Sequence, residues 1–217
     1  NRMTTVAELI ILNTTKIKDT AIVIHTLSRE YGRRSFLVHV GKGASMAMFQ
    51  PLCIVEADIT QNNKSDLWKA SHFSATHHLT GIRTSLTKNA MTLFMSEVLY
   101  RTIKEGANED GLFDWCAKSI LTLDALESDF SNFHIRFLLD FASAMGFSPS
   151  YDALLPFLDD RAALAGEFLS RDAADSMLIP VSGARRSDLC ARLLKYLECH
   201  LEAPLKIRSL SVLQEIQ

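Results

Sequence analysis

The first eighty or so residues hold a series of short apolar, β-rich runs, separated by turns too brief to contain a helix. No other feature restricts the fold of this chain as strongly. The runs are Glu8–Thr14, Thr20–Thr26, Ser35–Val40, Leu52–Thr60 and Leu67–Thr76. Polar Lys16–Asp19 and Gln61–Ser65 carry turn chemistry between them. Gly41 and Gly43 let the chain turn after the third run, with Lys42 at the tip. Phe49-Gln50-Pro51-Leu52 opens the fourth, and places Pro51 at a first strand position, where a missing N–H is tolerated. Strands this short and this closely spaced predict a small closed barrel. The oligonucleotide-binding (OB) barrel is the commonest five-stranded solution of this size, but strand count alone does not separate it from an SH3-like barrel.

From about Ser85 the apolar period changes to 3.6. Met91, Phe94, Met95, Val98, Leu99 and Ile103 share one helical face. Leu112, Trp115, Cys116, Ile120, Leu121 and Leu123 define a second helix, with Asn108-Glu109-Asp110 placing acids at its N-terminus, where the helix dipole favours them. Phe133, Phe137, Leu138, Phe141, Ala142 and Met145 define a third, stopped by Gly146. The signal weakens after Pro149. It returns over Asp188–Leu201, and a last short helix opens at Leu210. The expected class is therefore α+β and multi-domain. An N-terminal five-stranded β-barrel, residues 1–80, precedes an all-α helical domain, residues 81–217, with the boundary near Gly81.

Overall charge is −2, but it is segregated along the chain. Residues 1–43 hold seven Lys/Arg against three Asp/Glu, a balance of +4, whereas residues 105–175 hold four against fourteen, a balance of −10. A basic N-terminal part beside an acidic middle hints at a polyanionic partner on one face. Cys53, Cys116, Cys190 and Cys199 are scattered through apolar or helical stretches. They read as buried thiols of a reducing compartment, so a cytoplasmic location is expected. No run is long and apolar enough to span a membrane.

No catalytic pattern emerges. There is no nucleophile elbow, Walker loop, dinucleotide fingerprint or zinc-protease helix. Gly41-Lys42-Gly43 lacks the spacing and the Lys-Ser/Thr pair of a nucleotide loop, so it reads as a strand end. His77-His78 and Cys199-His200 are adjacent pairs without ligand spacing, and no metal is expected. Asp159-Asp160 beside Arg161 reads as a solvated face or a cap rather than an acid–base pair. A non-enzymatic binding role with no cofactor and no small-molecule substrate remains. For an OB barrel that role is nucleic-acid binding through a basic groove and exposed aromatic rings. Candidate phosphate contacts are Lys16, Lys18, Arg29, Arg33, Arg34, Lys42, Lys64 and Lys69, and candidate base stackers are Tyr31, Phe36 and Trp68, although Phe36 alternates with Leu37 and reads equally as a core residue. Arg33 and Arg34 are expected just before the third strand, with at least one of the two facing solvent.

The ordered set "TLSREYGRRSFLVHVGKGA", "FQPL", "MSEVLYRTIKEGANEDGLFDW", "NFHIRFLLDFASAMGFSPS" and "LKIRSLSVLQEI" resembles the bacterial recombination mediator family RecO, in the branch found in Bacteroides-like bacteria. The resemblance runs from about Leu9 to Ile216 and is weakest over Ser148–Arg185. It implies that the N-terminal barrel is a five-stranded OB-fold followed by a helical domain, and that the cytoplasmic chain is nucleoid-associated. It also implies binding of single- and double-stranded DNA, annealing of complementary strands and, with RecR, help for RecA in displacing single-stranded DNA-binding protein. Two departures stand out. Many family members carry a four-cysteine zinc site after the position of Gly146-Phe147, whereas Ser148–Ala184 here contains no cysteine. Many also carry a longer basic insertion after the third strand, where this chain has only Lys42.

The resemblance further implies that the acidic, Phe-ended tail of single-stranded DNA-binding protein is bound. Such a tail needs an apolar pocket with a cation for its carboxylate. Arg136 beside Phe137 and Phe141, or Arg101 and Lys104 at the end of the first long helix, are the candidates. The competing reading is a protein-interaction scaffold whose barrel binds DNA weakly or not at all, because the acidic middle segment repels it.

Overall fold

The structure is a computed structural model, and it describes residues 3–216. Its strands are β1 (Thr4–Lys18), β2 (Ala21–Ser28), β3 (Gly32–His39), β4 (Ile54–Thr60) and β5 (Trp68–Ala75). Its helices are α1 (Thr80–Arg83), α2 (Leu86–Thr102), α3 (Leu112–Ala125), α4 (Phe133–Ala144), α5 (Tyr151–Leu158), α6 (Ala162–Ser170), α7 (Ala173–Ser176), α8 (Gly183–Leu201) and α9 (Leu210–Ile216). Two compact units share the chain. One gathers the chain up to Thr80 together with Ile103–Leu121; the other takes Gly81–Thr102 and the chain from Thr122 onward. The linear division expected at residue 80 is thus crossed by one segment, which returns to the barrel unit.

The barrel closes in the order β1-β2-β3-β5-β4, with β4 pairing back onto β1. All pairs are antiparallel except β3–β5, a short parallel contact in which Phe36 faces Trp68 and Leu37 faces Lys69. This order decides for the OB barrel over the SH3-like one. Closure depends on the length of β1. Its first half pairs with β4, from Thr4↔Thr60 to Ile10↔Ile54, and its second with β2, from Leu9↔Ser28 to Lys18↔Ala21. Register shifts after Ile11 and Lys16 supply the bend. Ala7, Leu9, Ile11, Ile22, Ile24, Phe36, Val38, Val55, Ala57, Ile59 and Ala70 fill the interior at period two. Ile10, Leu12 and Ile54 on the outer side are buried as well, so this stretch of β1 and β4 is covered on both faces.

Three strand boundaries differ from the expected ones. Lys16–Lys18 belongs to β1, since Lys16 pairs with Ile22 and Lys18 with Ala21, and only Asp19-Thr20 turns. Arg33 and Arg34 lie inside β3 rather than ahead of it. The Arg33 N–H donates to Ala107 O at 2.8 Å and its carbonyl accepts from Gly106 N–H at 2.7 Å, which extends the ladder past the reach of β5. Pro51 sits in a turn before β4, after a helical turn at Ala47–Phe49; Leu52 N–H donates to Ile11 O and closes this loop onto β1.

In the helical unit, α4 ends where its sequence predicts. Gly146 adopts φ 91°, its N–H bonds Ser143 O, and Phe147 N–H bonds Ala142 O, the paired bonds of a Schellman stop. The stretch with weak sequence signal is filled by short α5, α6 and α7. Ser150, Asp172 and Ser182 cap α5, α7 and α8 by accepting from Ala153, Asp175 and Arg185 N–H. Phe137 and Phe141 stack at 6.0 Å inside the core. Buried Asn132 ties the start of α4 to the 176–179 backbone and to the Arg186 side chain. Its amide donates to Ser176 O and Ile179 O, and its oxygen accepts from Arg186 Nε at 2.8 Å.

Candidate nucleic-acid interface

Strand periodicity decides which barrel side chains face outward. Because Ile22, Ile24, Phe36, Val38 and Ala70 point inward, their neighbours Ala21, Val23, His25, Ser35, Leu37, His39 and Lys69 point out. Residues paired across a ladder share a face. One outer rung therefore runs Thr15–Val23–Leu37–Lys69, and the next runs Lys18–Ala21–His39. On the other side of the first rung, Thr15 Oγ1 lies 2.9 Å from His25 Nε2 and His25 Nδ1 lies 2.8 Å from Ser35 Oγ. Burial, reinforced by the Arg33 charge, lowers the His25 pKa and favours the neutral ring.

The expected phosphate contacts divide into two groups. Lys18 and Lys69 lie on this outer face and are exposed. Lys16 and Lys42 flank one end of it. Val40 N–H donates to Thr20 O and brings the Gly41–Ala44 turn beside the β1–β2 hairpin, while Lys16 pairs with Asp19 at 3.1 Å. Lys64 is exposed in the β4–β5 loop on the other side. In an OB barrel, the loops after β1 and β4 border the ligand surface.

The three arginines are held by the barrel unit itself. Arg33 is only 4% exposed, and its Nη1 reaches Ser35 Oγ at 3.4 Å. Arg34 points toward the barrel mouth, with its guanidinium 3.8 Å over the Trp68 ring and Nη1 donating to Asp66 O. Arg29 pairs with Asp114 at 2.9 Å and Glu8 at 3.5 Å and lies over the Phe113 ring. The Asp114 hydrogen bond raises its pKa further. Arg29 borders a cavity of about 210 Å³ lined also by Leu27, Ser28, Asn108, Asp110 and Asp114.

The expected stackers face the wrong way for an outer surface. Phe36 is fully buried in the core. Trp68 packs against that core under Arg34, and Tyr31 meets Trp68 edge-on at 5.1 Å while its hydroxyl bonds Thr5 Oγ1. His25, His39, Val23 and Leu37 are on the outer face and were not singled out from sequence. Strand alternation through Thr20–Thr26 and Ser35–Val40 holds the signal that would have found them.

The outer surface of β1–β4 is acidic. Glu8 and Glu56 face each other across these strands, and Asp58 follows one rung on, 2.8 Å from His72 Nδ1. This acidic surface borders the lysine-bearing one, since Lys69 pairs with Thr60, two residues from Asp58 on the same side of β4.

The residues expected to receive an acidic tail are mostly committed elsewhere. Phe137 and Phe141 are core residues. Arg136 clasps the helical unit: Nε donates to Asp140 and Nη1 to Phe168 O, Arg171 O and Ser176 Oγ. Arg101 Nε donates to Glu97 at 3.0 Å. Lys104 is exposed. Asp159 and Asp160 are ion-paired with Arg192. Cys53, Cys116 and Cys190 are buried, and burial pushes the thiols of Cys116 and Cys190 up to about 12; Cys199, contrary to expectation, is exposed. Among the described residues, no three His, Cys, Asp or Glu converge to hold a metal ion. Nor is any described helix long and apolar enough to cross a membrane.

The family model "Recombination protein O N terminal" matches residues 3–77, the barrel, and "Recombination protein O C terminal" matches residues 83–153. The chain belongs to the RecO family. It is 28% identical over 232 residues to the DNA repair protein RecO of Phocaeicola vulgatus, covering 95% of this chain and 96% of that one. Identity to the DNA repair protein RecO of Bacteroides fragilis is 32% over 147 residues, 66% of this chain and 61% of the relative. The corresponding protein of Flavobacterium johnsoniae is 24% identical, covering 95% of this chain and 96% of its own length. The second RecO model stops at residue 153, where α5 has just begun and the sequence signal fades.

Proposed function

We propose that this chain acts as a RecO-type recombination mediator in DNA repair. It binds single- and double-stranded DNA, anneals complementary strands and, with RecR, helps load RecA onto DNA coated by single-stranded DNA-binding protein. The observation that carries this reading is the outer β1–β2–β3–β5 surface, which displays Lys18 and Lys69 between two lysine-bearing borders. Cations on that surface attract phosphates, and the neighbouring Glu8/Glu56 patch limits where a strand can lie. Val23, Leu37 and the His39 ring give bases an apolar floor. The acidic tail of single-stranded DNA-binding protein is taken by Lys104, which is exposed, or by Arg101, exposed beside Glu97.

A salt-titrated binding curve with single-stranded and duplex oligonucleotides tests the proposal, followed by annealing of protein-coated complementary strands. Affinity falling steeply from low to physiological salt and faster annealing are expected. Annealing no faster than without the protein, with or without RecR, overturns the mediator reading. One observation favours the scaffold alternative: Arg29, Arg33 and Arg34 are engaged within the barrel unit, so the cations on its proposed DNA surface are lysines. Absence of DNA binding at low salt would select that alternative.

A further inference from the structure

Between α8 and α9 the chain crosses the helical unit as a strap, Ala203–Arg208. Burial alternates along it residue by residue: Ala203, Leu205 and Ile207 are buried, while Pro204, Lys206 and Arg208 are exposed. That is the pattern of an extended segment pressed against an apolar surface, with every second side chain offered to solvent. Two carboxylates fasten it through its backbone. Glu198 Oε1 accepts from Leu205 N–H at 2.9 Å, while Glu97 accepts from Arg208 N–H at 2.8 Å, from Ser209 N–H at 2.9 Å and from the Ser209 hydroxyl at 2.8 Å. Glu97 Oε2 also takes Arg101 Nε, which brings a third cation beside the strap.

The acids next to these cations are thus turned toward backbone N–H groups, except Glu202 at the end of α8, which is exposed. Lys206 and Arg208 lie two residues apart, the second at the turn that leads into α9. Two long, flexible cationic side chains at that spacing, on a pinned backbone, can follow successive phosphates of an unpaired strand at little ordering cost.

We infer that the Ala203–Arg208 strap is a second contact for the phosphate backbone of single-stranded nucleic acid, separate from the barrel face. The inference rests on the proposed DNA-binding role. Annealing needs two strands held by one protein, and a barrel face plus a strap supplies two backbone contacts.

The test is lysine acetylation of the whole protein with and without saturating oligothymidylate, read residue by residue by mass spectrometry. Protection of Lys18, Lys69 and Lys206 together is expected. Protection of Lys18 and Lys69 with Lys206 still reactive overturns the strap and leaves the barrel reading standing; protection of none removes both. A Lys206→Ala/Arg208→Ala variant gives the second reading. Both side chains are exposed, so the fold survives, and the salt dependence of oligothymidylate binding should lose about 1.4 from its log–log slope, roughly 0.7 per phosphate contact. An unchanged slope overturns the strap contact.

Discussion

Gly32 occupies a position that no side chain fits. Its φ is 66°, and a Cβ there would lie 2.2 Å from Ala107 O, the atom that accepts the Arg33 N–H. Gly32→Ala therefore combines backbone strain with loss of the contact between β3 and residues 106–107. A loss of more than about 2 kcal/mol is expected, read as the shift of the urea midpoint. An unmoved midpoint would show that the 106–107 loop does not hold β3. His134 gives a second residue-level prediction. It is fully buried, and burial first, then the Arg186 charge, pulls its pKa down to about 3. The unfolded chain titrates near 6.5, so it binds the proton first as pH falls, and stability declines below that value. Between pH 6.5 and pH 5 the cost is about 2 kcal/mol. Stability measured against pH should flatten over this range in His134→Phe, and an identical slope would sink the assignment.

Elements show what the sequence carried and what it did not. The strands were legible because alternation survives any tertiary setting, and α2, α3 and α4 because their apolar faces are long. The Lys16–Lys18 extension of β1 was not, because a polar strand end looks like a turn until its partner is known. Arg33 and Arg34 misled for a related reason. Charge in sequence says nothing of whether a guanidinium is kept by its own barrel, and here an outlying segment, 103–121, returns to cover β3. The same limit hid Arg136, whose partners at 168, 171 and 176 are remote in sequence. α9 depends on a distant partner too, since Glu97 on α2 accepts the N–H groups at its start. Burial raises the Glu97 pKa, but hydrogen bonds from Ser209, Arg208 and Arg101 outweigh it and the net shift is downward. Its contribution is therefore present above the unfolded carboxylate value and is lost as pH falls through the lower folded one. Glu97→Gln should expose amides of Leu210–Ile216 to hydrogen exchange while those of α4 stay protected. Equal protection of α9 in both proteins would remove Glu97 as its anchor.

At the scale of the molecule, function turns on which charges are free to meet a partner rather than on how many there are. Counting Lys and Arg in the first forty-three residues gives a basic segment, yet the barrel retains Arg29, Arg33 and Arg34 for its own contacts and answers them with Glu8, Asp114 and an aromatic ring. What it displays on the outer β1–β2–β3–β5 face is Lys18 and Lys69. The proposed DNA face thus makes a prediction that composition alone does not. Lys18→Glu/Lys69→Glu should abolish measurable oligonucleotide binding at physiological salt, and at low salt should flatten its salt dependence by at least about 1.4, two contacts at roughly 0.7 each. Arg29→Gln removes the same kind of charge from the same segment, but from a pair already closed by Asp114, and should change the slope by less than one contact. Filter binding across a salt series compares the two directly. If Arg29→Gln weakens binding as much as the lysine reversal does, phosphate is being taken on the Glu8/Asp114 side of the barrel, and the outer face assigned here is the wrong one.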